Sequence, residues 1–358
     1  MLKQNYNVIG VMSGTSLDGV DLAHIHFTIA HNAWDFKILE TETVAYSSQW
    51  FNKLKNAVQF SESELKELNN DYTQLLAQII NIFISTNKIK NLDAVCSHGH
   101  TILHQPQNGF TLQIGNLPEI ASLIQQNVVC DFRVQDVQLG GQGAPLVPIG
   151  DQILFSEFDY CLNLGGFSNV SFVENNTRIA FDISPVNTVL NFYANKLQLD
   201  YDNKGAISKS GKRNQTLFEA LNALPFYKLP YPKSLGFEFV KEIVLPLIET
   251  FEIPIEDKMH TFTAHVAYQI AEALLQKNAK LLITGGGAYN DFLVKQIQTE
   301  LPEMQIIIPN KKMLEFKEAL IFALLGVLKL RGEINVLSSV TGATMDHSSG
   351  CNYKPVVK

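Results

Sequence analysis

A short polar turn, GVMSGTSLDGVD at residues 10–21, carries the groups best suited to hold a phosphate chain. Backbone N–H groups between residues 14 and 19, together with hydroxyls and carboxylates, suit phosphate oxygens and a Mg²⁺ ion. These groups belong to Ser13, Gly14, Thr15, Ser16, Asp18 and Gly19, and Asp21 follows the turn. The turn matches neither GxxxxGK[ST] nor GxGxxG. Because an ordinary hairpin also uses glycine, serine and aspartate at its turn, this segment alone leaves both interpretations open.

A second turn of similar composition lies in YCLNLGGFSNVSFVE, residues 160–174. An apolar strand leads into Gly165 and Gly166, and a second strand leaves the turn after Ser168 and Asn169. The same kind of hairpin is therefore used twice. This repetition favours phosphate binding over an ordinary turn.

A third glycine cluster, LLITGGGAYNDFL at residues 281–293, places Gly285, Gly286 and Gly287 between a buried strand and a helix that follows Asn290. Backbone without side chains can approach a ligand closely at a helix N-terminus, which suits an adenosine. A tight turn with a positive φ would need only one glycine. Three in succession favour close approach of a ligand.

The order of predicted elements around the two hairpins is the same, βββαβαβ, with one long insertion in the second half. In the first half we predict strands near 6–12, 20–29, 34–46, 93–97 and 128–132, and helices near 61–84 and 117–126. In the second half we predict strands near 160–183, 280–284 and 305–308, and helices near 186–196, 262–276, 289–299 and 315–330. This repeat predicts two similar α/β domains, residues 1–148 and 149–358, with an insertion near 200–260 and a ligand site in the central cleft.

Composition limits the function classes. The 358 residues and 46% hydrophobic content can fill two cores. The net charge of −7 disfavours nucleic acid and anionic membranes as partners, so a small-molecule substrate fits better. With neither a membrane-spanning apolar run nor a signal-peptide layout, we expect a cytoplasmic protein. The four cysteines have no CxxC spacing, and Cys96, Cys130 and Cys161 are expected as buried thiols.

These motifs together resemble the superfamily of actin, heat-shock ATPases and sugar kinases, and within it the 1,6-anhydro-N-acetylmuramic acid kinase family. The resemblance spans nearly the whole chain. It is carried by the segments GVMSGTSLDGVD (10–21), CSHGHTILHQP (96–106), QIGNLPEIA (113–121), VVCDFRVQDVQLGGQGAPLVP (128–148), NLGGFSNV (163–170), FDISPVN (181–187), PKSLGFE (232–238), TGGGAYN (284–290), EALIFALL (318–325) and SSVTGA (338–343).

The resemblance implies two ribonuclease-H-like (actin-like ATPase) domains and an ATP-dependent kinase. The family opens 1,6-anhydro-N-acetylmuramic acid with water and phosphorylates O6, giving N-acetylmuramate 6-phosphate and ADP in recycling of the cell wall. ATP and Mg²⁺ are the implied cofactors. Another sugar or carboxylic-acid kinase of the same superfamily, or an ATP-binding protein like actin or a chaperone, is the alternative. A homodimer is possible.

The resemblance makes Asp182, in FDISPVN, the base that would deprotonate the attacking water. From its position alone, Asp182 would instead cap the helix that follows. The sequence also departs from the family at Ile183, Ser184 and Val186, where Thr, Gly and a small residue are usual.

For the sugar, the resemblance points to Arg133 at the lactyl carboxylate and Glu318 at the ring hydroxyls; Glu318 could also merely face solvent at the start of its helix. Asp18 or Asp21 would bind Mg²⁺ directly or through water. His98, His100 and His104 invite a metal-site interpretation, because residues i and i+2 of a strand share a face. No third ligand at zinc spacing accompanies them, so we expect them to line the sugar site.

Two segments are predicted to be peripheral. Residues 201–212, YDNKGAISKSGK, have the composition of a mobile loop, with Lys204 where the resembling family usually has glycine. Residues 347–358 show no periodicity and are expected to form a surface tail.

Overall fold

The computed structural model describes residues 3–14, 17–31 and 33–356, which form two compact units. Unit 1 consists of Met1–Leu154 and Phe316–Lys358, and unit 2 of Phe155–Glu315. The chain passes from unit 1 to unit 2 between Leu154 and Phe155, close to the predicted domain boundary at 148/149. The C-terminal residues, however, pack within unit 1, whereas the predicted second domain includes them.

The described residues in the N-terminal part of unit 1 form six strands and five α-helices. In chain order they are β1 (Asn5–Ser13), β2 (Val20–Ala30), β3 (Ala33–Val44), α1 (Ser48–Asn56), α2 (Glu62–Thr86), β4 (Ala94–Gln105), β5 (Phe110–Ile114), α3 (Glu119–Ile124), β6 (Val128–Cys130), α4 (Val134–Gln138) and α5 (Pro148–Leu154). Helix α2 begins at a capping box, in which the Ser61 hydroxyl accepts from the Glu64 amide and the Glu64 carboxylate accepts from the Ser61 amide. Its apolar face packs on the sheet through Leu68, Tyr72, Leu76, Ile80 and Phe83.

Unit 2 contains five strands and seven α-helices. They are β7 (Tyr160–Leu164), β8 (Phe167–Glu174), β9 (Thr177–Pro185), α6 (Asn187–Lys196), α7 (Ala206–Ser210), α8 (Gln215–Asn222), α9 (Phe237–Phe239), α10 (Leu245–Glu249), α11 (Ile255–Ala273), β10 (Lys280–Thr284), α12 (Asp291–Glu300) and β11 (Gln305–Ile307). A π-helical turn, Val240–Val244, joins α9 to α10. Buried residues of α6 and α11 cover the sheet, led by Leu190, Tyr193, Phe262, Val266 and Ile270.

The chain re-enters unit 1 within α13 (Lys311–Arg331), whose helical geometry is interrupted at Phe316 (φ −115°, ψ 15°). This helix lies against the sheet at two glycines. A Cβ on Gly10 would come within 1.9 Å of the Ala319 carbonyl oxygen, and one on Gly326 within 2.2 Å of Cys96 Sγ. Close contact between helix and sheet therefore requires both glycines.

The last two elements are α14 (Ser338–Thr341) and β12 (Cys351–Tyr353). The expectation of a surface tail is wrong for this segment. Strand β12 pairs antiparallel with β6, with Cys351 opposite Cys130, and the Ser349 hydroxyl donates to the Phe132 carbonyl at 2.6 Å. A three-residue strand is too short to show an alternating pattern, which is why the sequence does not indicate it.

The two sheets share one topology. In the first, β3, β2 and β1 are antiparallel neighbours, β4 and β6 continue in parallel, β12 forms the edge, and β5 pairs with β4. In the second, β9, β8 and β7 are antiparallel neighbours and β10 and β11 continue in parallel. The predicted fold class, α/β with two similar domains, is confirmed.

Two further observations bear on function classes. Within the described ranges, no helix combines the length and the apolar character needed to cross a membrane. All four cysteines are free thiols, and Cys96, Cys130 and Cys161 are buried in their strands as predicted.

Candidate active site

The first polar turn connects β1 to β2 in unit 1. Asp18 is exposed in this turn, and Asp21, at the start of β2, accepts a hydrogen bond from the Thr43 hydroxyl at 2.5 Å. Thr15 and Ser16, predicted to contact phosphate, lie outside the described residues. The turn therefore presents one exposed carboxylate and one that is anchored to the neighbouring strand.

Ser13, at the end of β1, is buried and belongs to a hydroxyl network. Its Oγ lies 2.6 Å from the Tyr46 hydroxyl and 2.7 Å from His100 Nδ1, and Tyr46 lies 2.6 Å from the Tyr72 hydroxyl. Desolvation lowers the pKa of His100 to about 4, so its ring is neutral. These contacts fix the end of β1, from which the polar turn starts.

The histidines of β4 do not share a face. Gly99 has a φ of +74°, which interrupts the alternation of the strand between His98 and His100. The His98 ring packs on Phe322 at 4.6 Å, whereas the His100 ring packs near Tyr72 at 5.8 Å. Among the described residues, no group of three His, Cys, Asp or Glu side chains could hold a metal ion.

Arg133 follows β6, and its guanidinium is oriented by two contacts. Its Nε donates to His98 Nε2 at 2.8 Å and its Nη1 donates to the Gly143 carbonyl at 2.6 Å. His98 Nδ1 lies 2.9 Å from the Gly99 carbonyl, which assigns the proton of a neutral ring to Nδ1. Burial, and then the Arg133 cation, hold the pKa of His98 well below its usual range.

Arg133 stays charged in this environment. Desolvation lowers its pKa to about 10, with Glu318 and Asp136 opposing that shift. The group is therefore a cation at neutral pH, held by neutral partners on its Nε and Nη1 atoms. Such a guanidinium retains its capacity to bind a carboxylate.

Glu318 lies beyond the interruption of α13, seven residues after the helix begins, so a position in the first helical turn does not explain it. The side chain is accessible to solvent, yet surrounding protein raises the pKa of its carboxyl by desolvation. The Arg133 charge opposes this shift, and Asp21 and Asp18 add to it. The preceding residue, Lys317, forms a buried ion pair with Asp151 at 2.7 Å.

In unit 2, the second hairpin is bonded to the start of α6. The Gly166 carbonyl accepts from the Val186 amide at 2.8 Å, the Thr188 amide at 3.2 Å and the Thr188 hydroxyl at 2.9 Å, and the Gly165 carbonyl accepts from the Asn187 amide at 3.3 Å. The hairpin carbonyls thus bind the N-terminus of this helix. Gly166 remains exposed at the tip of the turn.

The three consecutive glycines do not share the same surroundings. Gly285 has a φ of +85°, and a Cβ there would lie 2.8 Å from the Leu164 carbonyl oxygen. A Cβ on Gly287 would lie 2.7 Å from Leu164 Cβ, but a Cβ on Gly286 would have Asn187 Nδ2, at 3.9 Å, as its nearest neighbour. Packing against β7 therefore accounts for the outer two glycines and leaves Gly286 facing open space.

Asn290 caps α12, because its Oδ1 accepts from the Leu293 amide at 2.9 Å. Gly205, from the insertion, approaches this cap so closely that a Cβ would lie 2.1 Å from Asn290 Oδ1. The insertion is not a loose loop: the buried Asp202 carboxylate accepts from the Ser208 hydroxyl at 2.7 Å and from the Ile207 amide at 2.8 Å. Its composition was misleading because the Asp202 carboxylate here binds the first amides of α7, those of Ile207 and Ser208.

Asp182 lies within β9 and does not cap α6. The cap position is Val186, and the hairpin carbonyls already bind the first amides of that helix. The Asp182 amide donates to the Lys233 carbonyl at 2.9 Å, and its Oδ2 accepts from the Leu235 amide at 2.8 Å. Desolvation raises the pKa of the Asp182 carboxyl, and the bond from Leu235 partly offsets this shift.

Two contacts of the candidate site residues, one in each unit, are absent from our sequence predictions. Leu235 contributes a backbone amide, which has no side-chain signature, although its segment PKSLGFE is among the matching strings. Asp136, three residues after Arg133, is fully buried behind the glycine-rich residues 140–143. The sequence signal that could have indicated Asp136 is its spacing of about one helical turn from the candidate Arg133.

A family model and several relatives that match this chain carry the same description. The model of a family described as Anhydro-N-acetylmuramic acid kinase matches residues 6–355. Relatives given that same description include one from Shewanella amazonensis, 33% identical and covering 96% of this chain and 98% of its own, and one from Mannheimia succiniciproducens, 35% identical and covering 98% and 99%. A third, from Haemophilus influenzae, is 32% identical and covers 96% and 97%.

Solved structures with some likeness to the chain include two proteins of coenzyme A dehydratase systems. The activator of 2-hydroxyisocaproyl-CoA dehydratase from Clostridium difficile, solved with bound ADPNP, gives a TM-score of 0.42 at 14% identity, covering 91% of this chain and 96% of its own. Component A of (R)-2-hydroxyglutaryl-CoA dehydratase from Acidaminococcus fermentans gives a TM-score of 0.45 at 14% identity, covering 91% and 99%.

Proposed function

The chain belongs to the anhydro-N-acetylmuramic acid kinase family, and on that premise we propose which of its residues carry the reaction. The enzyme uses ATP and water to convert 1,6-anhydro-N-acetylmuramic acid into N-acetylmuramate 6-phosphate and ADP, in the recycling of cell-wall peptidoglycan. Its two similar α/β units are those of the actin-like ATPase fold. The observation that carries this function is the family match over residues 6–355.

Asp182 is the proposed general base. In the reaction, a water oxygen bonds to C1 of the sugar, the C1–O6 bond breaks, and O6 bonds to the γ-phosphorus while ADP leaves. The proton released by the water passes to the Asp182 carboxylate. Leu235 occupies one carboxylate oxygen, Oδ2, and so orients the other. A carboxyl whose pKa is raised by desolvation is a stronger base than an exposed one.

The sugar is proposed to bind to the residues around Arg133 in unit 1. The Arg133 guanidinium would pair with the lactyl carboxylate, and His98 would keep it oriented through the bond to Nε. Glu318 would accept hydrogen bonds from ring hydroxyls. This assignment is supported by an arginine that keeps its charge while its partners on Nε and Nη1 are neutral.

ATP is proposed to contact both glycine hairpins and the triple glycine. The amides near Gly14 and Gly19 would bind phosphate oxygens in unit 1, together with Thr15 and Ser16. In unit 2, the tip at Gly165 and Gly166 would do the same. Gly286 would lie against the adenosine, since packing inside unit 2 does not explain the missing side chain there. Ser13 and Asn290 are engaged in internal hydrogen bonds and would support these contacts indirectly.

Asp18 and Asp21 are proposed to hold Mg²⁺. Magnesium in kinase sites uses one or two carboxylates, substrate phosphates and water, so two carboxylates beside a phosphate turn fit its needs. Both carboxylates act electrostatically on the same group, Glu318. When bound, the ion supplies charge neutralisation for the transferred phosphoryl group.

The test is an ATP-dependent phosphorylation assay with three acceptors: 1,6-anhydro-N-acetylmuramic acid, the matching anhydro-sugar without the lactyl group, and plain hexoses. We expect the first to be the preferred substrate. Arg133→Ala should weaken binding of that sugar by about 2 kcal/mol or more, and leave the KM for ATP nearly unchanged. An equal loss with the sugar that lacks the lactyl group would contradict the assignment of Arg133.

We place the enzyme in the cytoplasm, because its reaction consumes ATP. A homodimer stays a prediction, which light scattering of the purified protein tests.

A further inference from the structure

A fully buried carboxylate, Asp136 on α4, stands behind the glycine-rich residues 140–143. Its Oδ2 accepts from the Gly143 amide at 2.6 Å and its Oδ1 accepts from the Thr341 hydroxyl at 2.7 Å. His347 Nε2 lies 3.6 Å from the same Oδ1. Burying a carboxylate away from water costs free energy that hydrogen bonds must offset, so this arrangement needs its donors.

Gly143 connects this carboxylate to Arg133. Its amide donates to Asp136, while its carbonyl accepts from Arg133 Nη1 at 2.6 Å. Glycine at this position, with a φ of +67°, has no conformational preference of its own to hold the carbonyl in place. The hydrogen bond to Asp136 fixes the Gly143 amide, and so helps to hold the backbone whose carbonyl accepts from the guanidinium.

The C-terminal segment holds the other side of Asp136. Thr341 is 1% exposed, its carbonyl accepts from the Gln142 amide at 2.8 Å, and the Thr344 amide donates to the Leu139 carbonyl at 3.0 Å. A Cβ on Gly141 would lie 2.2 Å from Asp136 Oδ2, so the loop fits closely around the carboxylate. The C-terminal segment thus contacts both the glycine-rich residues 140–143 and Asp136, to which they are bonded.

We propose that Asp136 and Thr341 are positioning residues for the sugar's carboxylate, acting through Gly143 on Arg133. This inference rests on the proposed role of Arg133. Neither residue touches the substrate. They keep the Arg133 guanidinium oriented toward the lactyl carboxylate. Their loss therefore weakens binding of that carboxylate and leaves nucleotide binding unchanged.

The experiment uses the full-length enzyme and Thr341→Val, which removes the hydroxyl and keeps the shape. We expect the KM for 1,6-anhydro-N-acetylmuramic acid to rise roughly 5- to 20-fold, the size expected when a hydrogen bond to a charged group is lost in part. The KM for ATP should change less than twofold. Thr341→Ser, which keeps the hydroxyl, should return the sugar KM to within about threefold of wild type.

Two controls separate positioning from a general structural role. Thr344→Val makes the same change in the same segment at an exposed side chain, and should leave both KM values unchanged. In an Arg133→Ala background, Thr341→Val should have no further effect on the sugar KM, because the group through which it acts is gone. Thr341→Ala is the second variant, should Thr341→Val not fold, and must shift the two KM values in the same way.

The inference is overturned if Thr341→Val lowers kcat with both KM values unchanged, or if its effect adds fully to that of Arg133→Ala. Failure of the proposed function gives a different result. In that case the wild type would not prefer the sugar with the lactyl group, or Arg133→Ala alone would leave that preference intact.

Discussion

Replacing Asp182 with Asn separates a catalytic carboxylate from a structural one. The Asn side chain has nearly the same shape, and its carbonyl oxygen can accept the 2.8 Å hydrogen bond that Leu235 donates to Oδ2. The Leu235 amide thus keeps its acceptor. The fold should therefore persist, while the group that accepts the proton from water is removed.

The expected loss of turnover is roughly 10²- to 10⁴-fold, the usual contribution of a positioned general base. This corresponds to about 3–5 kcal/mol of transition-state stabilisation. The KM for ATP should stay within about twofold, because no nucleotide contact is assigned to Asp182. Steady-state kinetics with coupled detection of ADP measures both quantities.

Asp182→Asn should lower activity without lowering thermal stability. Because desolvation raises the pKa of Asp182 in the folded protein, its ionised form is less favourable there than in the unfolded chain. This destabilising contribution is present above the folded-state pKa and disappears as the pH falls through the unfolded-state value. Asp182→Asn should therefore unfold at an equal or higher temperature than wild type at neutral pH, and this difference should shrink in acid.

Asp159→Asn is the matched control. Asp159, also in unit 2, accepts one backbone hydrogen bond from the Lys280 amide at 2.7 Å, but it is exposed. Its replacement should leave turnover unchanged. Turnover of Asp182→Asn within tenfold of wild type, or an equal loss in Asp159→Asn, would refute the assignment of the base. The wild-type fall in kcat/KM at low pH, which reports the free base, should be absent from Asp182→Asn.

Three further predictions follow from the structure. Gly286→Ala should fold normally and raise the KM for ATP roughly tenfold or more, whereas Gly287→Ala should lower the free energy of unfolding by about 1–3 kcal/mol through contact with Leu164. Thermal unfolding and steady-state kinetics check both variants, and the reverse pattern would contradict the open space at Gly286. Lys204 has a φ of +57°, so Lys204→Gly should raise the free energy of unfolding by up to about 1 kcal/mol, and Lys209→Gly in α7 should lower it, as denaturant titration will show. Attack of water on the β-configured C1 from the face opposite O6 should give the α-anomer first, with label from ¹⁸O-water at C1; NMR that shows the β-anomer first, or label in the phosphate ester, would exclude this mechanism.

The sheets could be predicted from sequence because their strands are long and alternate. Between residues 20 and 30, apolar side chains alternate at Ala23, Ile25, Phe27 and Ile29, and the structure has β2 there. The insertion could not be predicted in the same way. Its helices are short, and the N-terminal turn of α11 contains Glu256 and Asp257, so the periodic pattern starts only near Phe262.

The candidate site shows the same division. Arg133, Glu318 and His98 were indicated by residue type within the resembling segments, and the structure places all three in unit 1, with Arg133 bonded to His98 and acting on Glu318. The expected common face of His98 and His100 was wrong, because the positive φ of Gly99 rotates the strand and a sequence pattern assumes regular backbone. Contacts made by backbone amides and carbonyls, such as those of Leu235 and Gly143, depend on tertiary structure and have no residue preference to reveal them.

The division of unit 1 into two sequence segments affects how the protein is made. Unit 2 is continuous, Phe155–Glu315, and can complete its sheet while the ribosome still synthesises the rest of the chain. Unit 1 lacks the larger part of α13, the edge strand β12 and the Thr341 partner of Asp136 until the last part of the chain has been translated. Premature termination after residue 315 would therefore release a complete unit 2 attached to a unit 1 sheet that lacks most of α13. Chaperones and proteases recognise such a species by its exposed apolar surface.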